Sequence, residues 1–160
     1  MGSKRYFVLG AGVGKAIADN LAKSPNTKLV VIADMDNKKV MEAYRFINRT
    51  SPSKCVPTLF NAEKNQNPES LFGQFDVVIS ALPAKYNLQL AEASIRAGTH
   101  FCDLGGVVEV TEEMLKLNEK YPNMPVSVVP DCGLMPGLGV ILAKKLMLDL
   151  GGAESLEILV

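Results

Sequence analysis

Arg5-Tyr-Phe-Val-Leu-Gly10-Ala-Gly12-Val-Gly14-Lys-Ala-Ile-Ala18, followed by Val30-Val-Ile-Ala-Asp34, is the stretch that decides the fold. An apolar run enters a glycine-rich turn, a segment of helical character leaves it, and a second apolar run ends in a carboxylate. Bare glycines let a backbone approach an anion closely, and the helix that follows presents unpaired N–H groups to it. An acid at the tip of the next strand can accept hydrogen bonds from both hydroxyls of an adenosine ribose. The combination predicts the front half of a dinucleotide site.

The turn departs from Gly-x-Gly-x-x-Gly, because Lys15 stands where the third glycine would be. It reads as Gly10-x-Gly12-x-Gly14, or as Gly10-x-Gly12 with Ala16 as the small packing residue. A Gly-x-Gly-x-Gly turn also serves methyltransferases that hold S-adenosylmethionine. Those enzymes usually carry a carboxylate two residues before the first glycine, where this chain has Val8. A dinucleotide is the better reading. The negative charge of Asp34 repels a 2′-phosphate and favours NAD over NADP, although Lys38 and Lys39 stand close by to meet one. Asp34 alternatively opens the turn before the next helix, yet Asp36 or Asn37 suits that cap better. Val13 in the turn and Met35 beside the acid complete this half of the expected site.

The chain has 160 residues with 48% hydrophobic content, enough for one core. Lys+Arg and Asp+Glu balance at 17 each, which gives no general attraction to nucleic acid or to an acidic membrane surface. Apolar runs such as Val77–Leu82 are too short to cross a bilayer. Met1-Gly-Ser has no signal-peptide character, and three cysteines without metal-ligand spacing fit reduced thiols in the cytoplasm. No segment has ligand spacing for a metal.

Periodicity and breakers place the remaining elements. Helices are expected over Gly14–Lys23, through Val40, Ala43, Tyr44 and Ile47, through Leu88, Ala91 and Ile95 up to Ala97-Gly98, and over Gly137–Asp149. Thr111 is expected to cap a helix with Glu112 and Glu113 in its first turn. Strands are expected at Leu29–Ala33, Cys55–Phe60, Asp76–Leu82, His100–Asp103 and Val126–Pro130, with one short helix inside Asn61–Gly73. Strands alternating with helices imply a doubly wound parallel α/β sheet, the Rossmann fold, over residues 1–150. Ser155–Val160 breaks the rhythm and reads as the first strand of a second α+β domain, so residues 151–160 would begin a further unit.

Ser80-Ala81-Leu82-Pro83 ends a strand where the sheet order should reverse, the expected place for the second ribose. The proline there also serves simply to end the strand. Asp103 stands at another strand tip, and Cys132 lies in the rigid turn Pro130-Asp-Cys-Gly-Leu-Met-Pro136-Gly137. Rigid loops at that edge often frame a substrate, while a cysteine is ordinarily a small packing residue. Asp103 and Cys132 are the catalytic candidates, with Asp131 beside them and Asn87 as an orienting amide. His100 opens a strand and reads as structural.

Three stretches taken together resemble the saccharopine dehydrogenase and lysine 6-dehydrogenase group. They are Gly10–Ala18 with Ile32-Ala-Asp34, Val77–Pro83 with Asn87 and the run to Asp103-Leu-Gly-Gly106, and Val129–Leu138 leading to Ala143. The resemblance implies a two-domain, homodimeric NAD(P)-dependent oxidoreductase acting on the C–N bond of a small amino-acid substrate. It further implies that most substrate contacts come from the second domain, so that residues 1–160 bind NAD without turning anything over. A regulatory domain that senses NAD(H) is the alternative; it leaves the elaborate Asp131–Leu138 turn unexplained.

Overall fold

Alternation along β1 (Lys4–Leu9) sends Phe7 and Leu9 to one face of a sheet and Val8 to the other. The computed structural model describes residues 2–65 and 67–159. Beside β1 run β2 (Thr27–Asp34), β3 (Cys55–Leu59), β4 (Val77–Ser80), β5 (His100–Asp103) and β6 (Val128–Val129). All pairings are parallel, in the order β3-β2-β1-β4-β5-β6. This is the doubly wound order, and it reverses between β1 and β4.

Helices cover both faces, as parallel strands require. Ala18 and Ala22 of α1 (Gly14–Lys23) and Val40, Ala43 and Ile47 of α2 (Asn37–Thr50) pack with Val8, Val30 and Ile32. On the other face lie α3 (Glu69–Phe72), α4 (Asn87–Arg96) and α5 (Val108–Lys120). Phe7 sits at the centre of that layer, its ring 5.9 Å from Phe60, 5.7 Å from Phe72 and 5.0 Å from Phe75, centroid to centroid. Aromatic pairs at these separations add about 0.5–1.5 kcal/mol each beyond area burial. Asp36 caps α2, its side chain accepting from the Lys38 and Lys39 N–H groups. Gly98 follows α4 at φ +70°, the left-handed stop that the sequence reading expects.

Three expectations are corrected. Thr111 does not cap α5: the helix begins a turn earlier, at Val108, and Glu109 is its first-turn acid. The Thr111 hydroxyl donates to Asp131 Oδ1 at 3.1 Å, a tertiary contact that local patterning does not reveal. β6 shrinks to Val128–Val129, because Pro130 has no N–H to extend a ladder. Ser155–Leu159 forms no strand, and Val160 lies outside the described residues. A strand exists only with a partner, and none of the described residues supplies one.

The last helix, α6 (Leu138–Asp149), contributes no buried residue. Among the described residues, no helix is long and apolar enough to cross a membrane.

Candidate functional site

The three turn glycines have three different neighbourhoods. Gly10 adopts φ +94°, and a Cβ there would lie 2.6 Å from the Ala81 carbonyl oxygen. Only glycine lets the β1–α1 turn press against the end of β4 in this way. The Gly10 N–H donates to Ala33 O at 2.7 Å, and the Ala81 N–H donates to Leu9 O at 2.8 Å, so the turn is tied on both sides. Gly14 starts α1 against the sheet, with a Cβ position 3.0 Å from Val8 Cγ1 and 3.4 Å from Ala81 Cβ. It therefore does the packing work that the alternative reading of the turn gave to Ala16. Gly12 faces open space, with nothing within 4 Å of its Cβ position.

Asp34 meets this turn directly. Its Oδ2 accepts the Ala11 N–H at 2.9 Å, and its Oδ1 accepts the Asp36 N–H at 3.0 Å. Both oxygens keep a further lone pair. The carboxylate thus fastens the turn to the tip of β2 and retains acceptor capacity. A groove of about 530 Å³ opens along this edge. Gly10, Gly12, Val13, Asp34, Met35, Ala81, Leu82 and Pro83, all sequence-predicted, line it. Uncapped α1, whose N-cap Val13 offers no side-chain acceptor, points its N-terminus at the same turn.

Two predicted members stand elsewhere. Gly14 lies beneath the groove in the helix–strand contact. Asn87 is 2% exposed, and its Oδ1 accepts the Ser80 hydroxyl at 2.8 Å. Ser80 Oγ in turn accepts the Leu82 N–H at 3.4 Å. Asn87 braces the Ala81–Pro83 loop from behind and does not line the groove.

Sequence reasoning missed the far lip. Phe60, Asn61 and Ala62 line the groove after β3 and Tyr86 faces it from the turn before α4, while Lys39, named from the sequence as a phosphate partner, faces it from α2. The Phe60 N–H donates to Asp34 O at 3.0 Å, which carries the chain past the acid. Tyr86 OH donates to Glu63 Oε1 at 2.5 Å and the Gln89 amide to Ala62 O at 3.1 Å, joining the lips outside the groove. The available signal was topological: β3 lies next to β2, so its carboxyl end must flank Asp34.

Asp103 and Cys132 lie together at the ends of β5 and β6, away from the groove lining. Asp103 is 1% exposed. Its Oδ1 accepts the Gly105 N–H at 2.6 Å and the Asp131 N–H at 3.3 Å, so one carboxylate holds two loops. Its Oδ2 is buried without a hydrogen-bond partner. Burial pushes this carboxyl above the ordinary aspartate range, against the two N–H donors that pull it down. The Cys132 N–H donates to Asp103 O at 2.8 Å. Its thiol is also pushed up, first by desolvation and then by the Asp103 and Asp131 carboxylates, which disfavours a thiolate nucleophile. His100 Nδ1 accepts the Ser127 N–H at 2.9 Å and so fastens the approach to β6, a structural role as expected.

The groove's glycine cradle, acidic lip and helix N-terminus fit an adenine dinucleotide. Comparison with known proteins agrees with that chemistry. The apo structure of saccharopine dehydrogenase (L-Glu forming) from Saccharomyces cerevisiae superposes with a TM-score of 0.71 at 21% identity, over 93% of this chain and 32% of that one. Apo scyllo-inositol dehydrogenase from Lactobacillus casei gives 0.60 at 19% identity, over 94% of this chain and 42% of that one. GenD2 from gentamicin A biosynthesis, in complex with NAD, gives 0.64 at 14% identity, over 97% of this chain and 42% of that one. This chain therefore spans well under half the length of each. These likenesses establish the fold. Residues 6–129 match the profile of the saccharopine dehydrogenase NADP-binding domain, and the chain belongs to that family of NAD(P)-binding oxidoreductase domains.

Proposed function

We propose that this chain is the nucleotide-binding part of an NAD(P)-dependent oxidoreductase acting on the C–N bond of an amino acid. The observation that carries it is the Asp34 carboxylate held against the glycine turn at the head of an open groove. The family match and the Asp103–Gly106 and Val129–Leu138 stretches support the amino-acid specificity. When bound, the nicotinamide accepts or returns a hydride at the carbon bearing nitrogen. Gly10, Gly12 and the α1 N-terminus hold the diphosphate, and Asp34 accepts from the ribose hydroxyls. The Ala81–Pro83 loop, braced by Ser80 and Asn87, orients the second nucleotide. Asp103 and Cys132 are the groups that would exchange a proton with substrate, burial being the first cause that raises the pKa of each.

The proposal extends to a larger protein. The apolar residues of α6, among them Ile141 at 66% and Leu148 at 67% exposure, suit a following α+β domain and a homodimer interface. The segment after residue 150 would lead into that domain. Three unpaired cysteines suit the cytoplasm. The 160-residue chain then binds dinucleotide and reduces none of it, and amine-dependent NAD reduction by this chain alone would count against the division.

For cofactor choice, the Asp34 charge supports NAD. NADP is the second reading: the family designation names it, and Lys39 lines the groove where a 2′-phosphate would need a cation. Paired NAD and NADP titrations decide between them. Asp34→Ser should raise NADP affinity relative to NAD about tenfold, the equivalent of about 1.4 kcal/mol. An unchanged ratio would remove Asp34 from the ribose. Gly12→Val should leave unfolding within about 0.5 kcal/mol of the parent, because its Cβ meets nothing. The same change should abolish measurable dinucleotide binding, and retained binding would place the diphosphate elsewhere. Gly10→Ala should lower stability outright, since the Ala81 carbonyl blocks it.

Asp103 predicts a pH dependence. A carboxyl with a raised folded-state pKa binds its proton more tightly folded than unfolded. Its stabilising contribution is present below the unfolded value of 3.8 and is lost as pH rises through the folded value. Urea unfolding of wild type and Asp103→Asn across pH 3–8 should therefore show the wild type gaining on the variant as pH falls. A constant difference would contradict a strained, charged Asp103.

A further inference from the structure

The strand order β3-β2-β1-β4 sets the Gly10–Gly14 turn and Asp34 between the chain that leaves β3 and the chain that leaves β4. Side chains join those two flanking segments. Tyr86 OH donates to Glu63 Oε1 at 2.5 Å, and Lys85 Nζ reaches the same oxygen at 3.5 Å. The Lys85 ammonium also lies 4.6 Å from the centre of the Tyr86 ring, within cation–π reach. We propose that Tyr86, Glu63 and Lys85 form a clasp that must open for the dinucleotide to enter or leave the groove. On the nucleotide-binding reading above, on which this rests, the clasp sets how fast the groove exchanges its ligand.

The clasp differs from the fixed framework around it. Phe60 and Ala62 are buried, and the Gln89 amide holds Ala62 O at 3.1 Å, so the wall is rooted one residue before Glu63. Asn61 Oδ1 accepts the Glu63 and Lys64 N–H groups at 2.9 and 3.3 Å, so the turn bearing Glu63 keeps its shape when the clasp lets go. The clasp itself stands in water: the Lys85 and Glu63 side chains are 66% and 64% exposed. Exposed pairs of this kind hold weakly, so the tie opens and re-forms readily. The Tyr86 hydroxyl first, and then Lys85, hold the Glu63 carboxyl below the usual glutamate range, which keeps the acceptor charged at neutral pH. Tyr86 belongs to both structures, since it lines the groove with Leu82 and Pro83 while its hydroxyl is held outside. Freeing it from Glu63 therefore loosens the groove wall itself. A gate that must open in either direction slows entry and release by the same factor and leaves the dissociation constant where it was. A brace acts differently: its loss weakens the bound state and speeds release alone.

Stopped-flow mixing of the 160-residue chain with NADH, followed by the cofactor's own fluorescence, gives the association rate. Chasing the complex with excess NAD gives the release rate. Glu63→Ala removes the acceptor at an exposed position outside the groove lining. It should raise both rates about fivefold, the scale of an exposed pair, and leave Kd within about twofold. Tyr86→Phe keeps the ring and drops the hydroxyl, and it should release NADH faster by a similar factor. The double variant should be no faster than Glu63→Ala, since one contact can be lost only once. Unchanged rates in Glu63→Ala, faster release with weaker binding and no faster entry, or additive effects in the double variant would each overturn the clasp. Any of those results, obtained with NADH bound, leaves the nucleotide-binding reading standing. Absence of NADH binding to the parent chain removes both.

Discussion

One hydrogen bond organises the functional edge: Asp34 Oδ2 accepting from the Ala11 N–H. It joins the tip of β2 to the turn after β1, and the same carboxylate turns the chain towards α2 through the Asp36 N–H. The groove then exists because Gly10 brings this pinned turn against Ala81 at the point where the sheet order reverses. Removing the acid costs an anchor as well as a recognition group. The two roles are inseparable in geometry, though their effects differ: the anchor acts on both cofactors alike, and the charge acts on their difference.

The second half of the edge is organised by a buried acid. Asp103 spends one oxygen on two backbone donors from different loops and leaves the other enclosed. Burying a carboxyl with an unpartnered oxygen is expensive, and the expense falls at the meeting place of the loops after β5 and β6. This placement explains why Gly105 and Asp131 take left-handed backbone there. The loops are shaped around the carboxyl groups.

Most of the fold was legible because its patterns are local. The apolar run of β2, the alternation in β1 and the Asp36 cap report their own surroundings. The glycine turn and Asp34 were legible as a pair because each makes chemical sense only with the other. What escaped was set by tertiary partners. Thr111 looked like a cap and is drawn instead to Asp131, and Asn87 looked like a ligand and is taken by Ser80. The Phe60–Ala62 lip and Tyr86 carry no motif, since they become part of the groove only when β3 pairs with β2. Ser155–Leu159 has the apolar content of a strand, but strand formation depends on a neighbour as much as on sequence.

The surface of α6 has a consequence for handling the molecule. Leu138, Val140, Ile141, Leu142, Leu146 and Leu148 all face water, and each forgoes most of the roughly 1.5–3 kcal/mol that burial of such a side chain provides. A helix of this kind gains little from the chain it belongs to and much from any apolar surface it meets. Concentrated solutions of these 160 residues will therefore carry a standing tendency towards self-adhesion, and colloidal behaviour, more than intrinsic folding strength, will set the working range for spectroscopy or crystallisation.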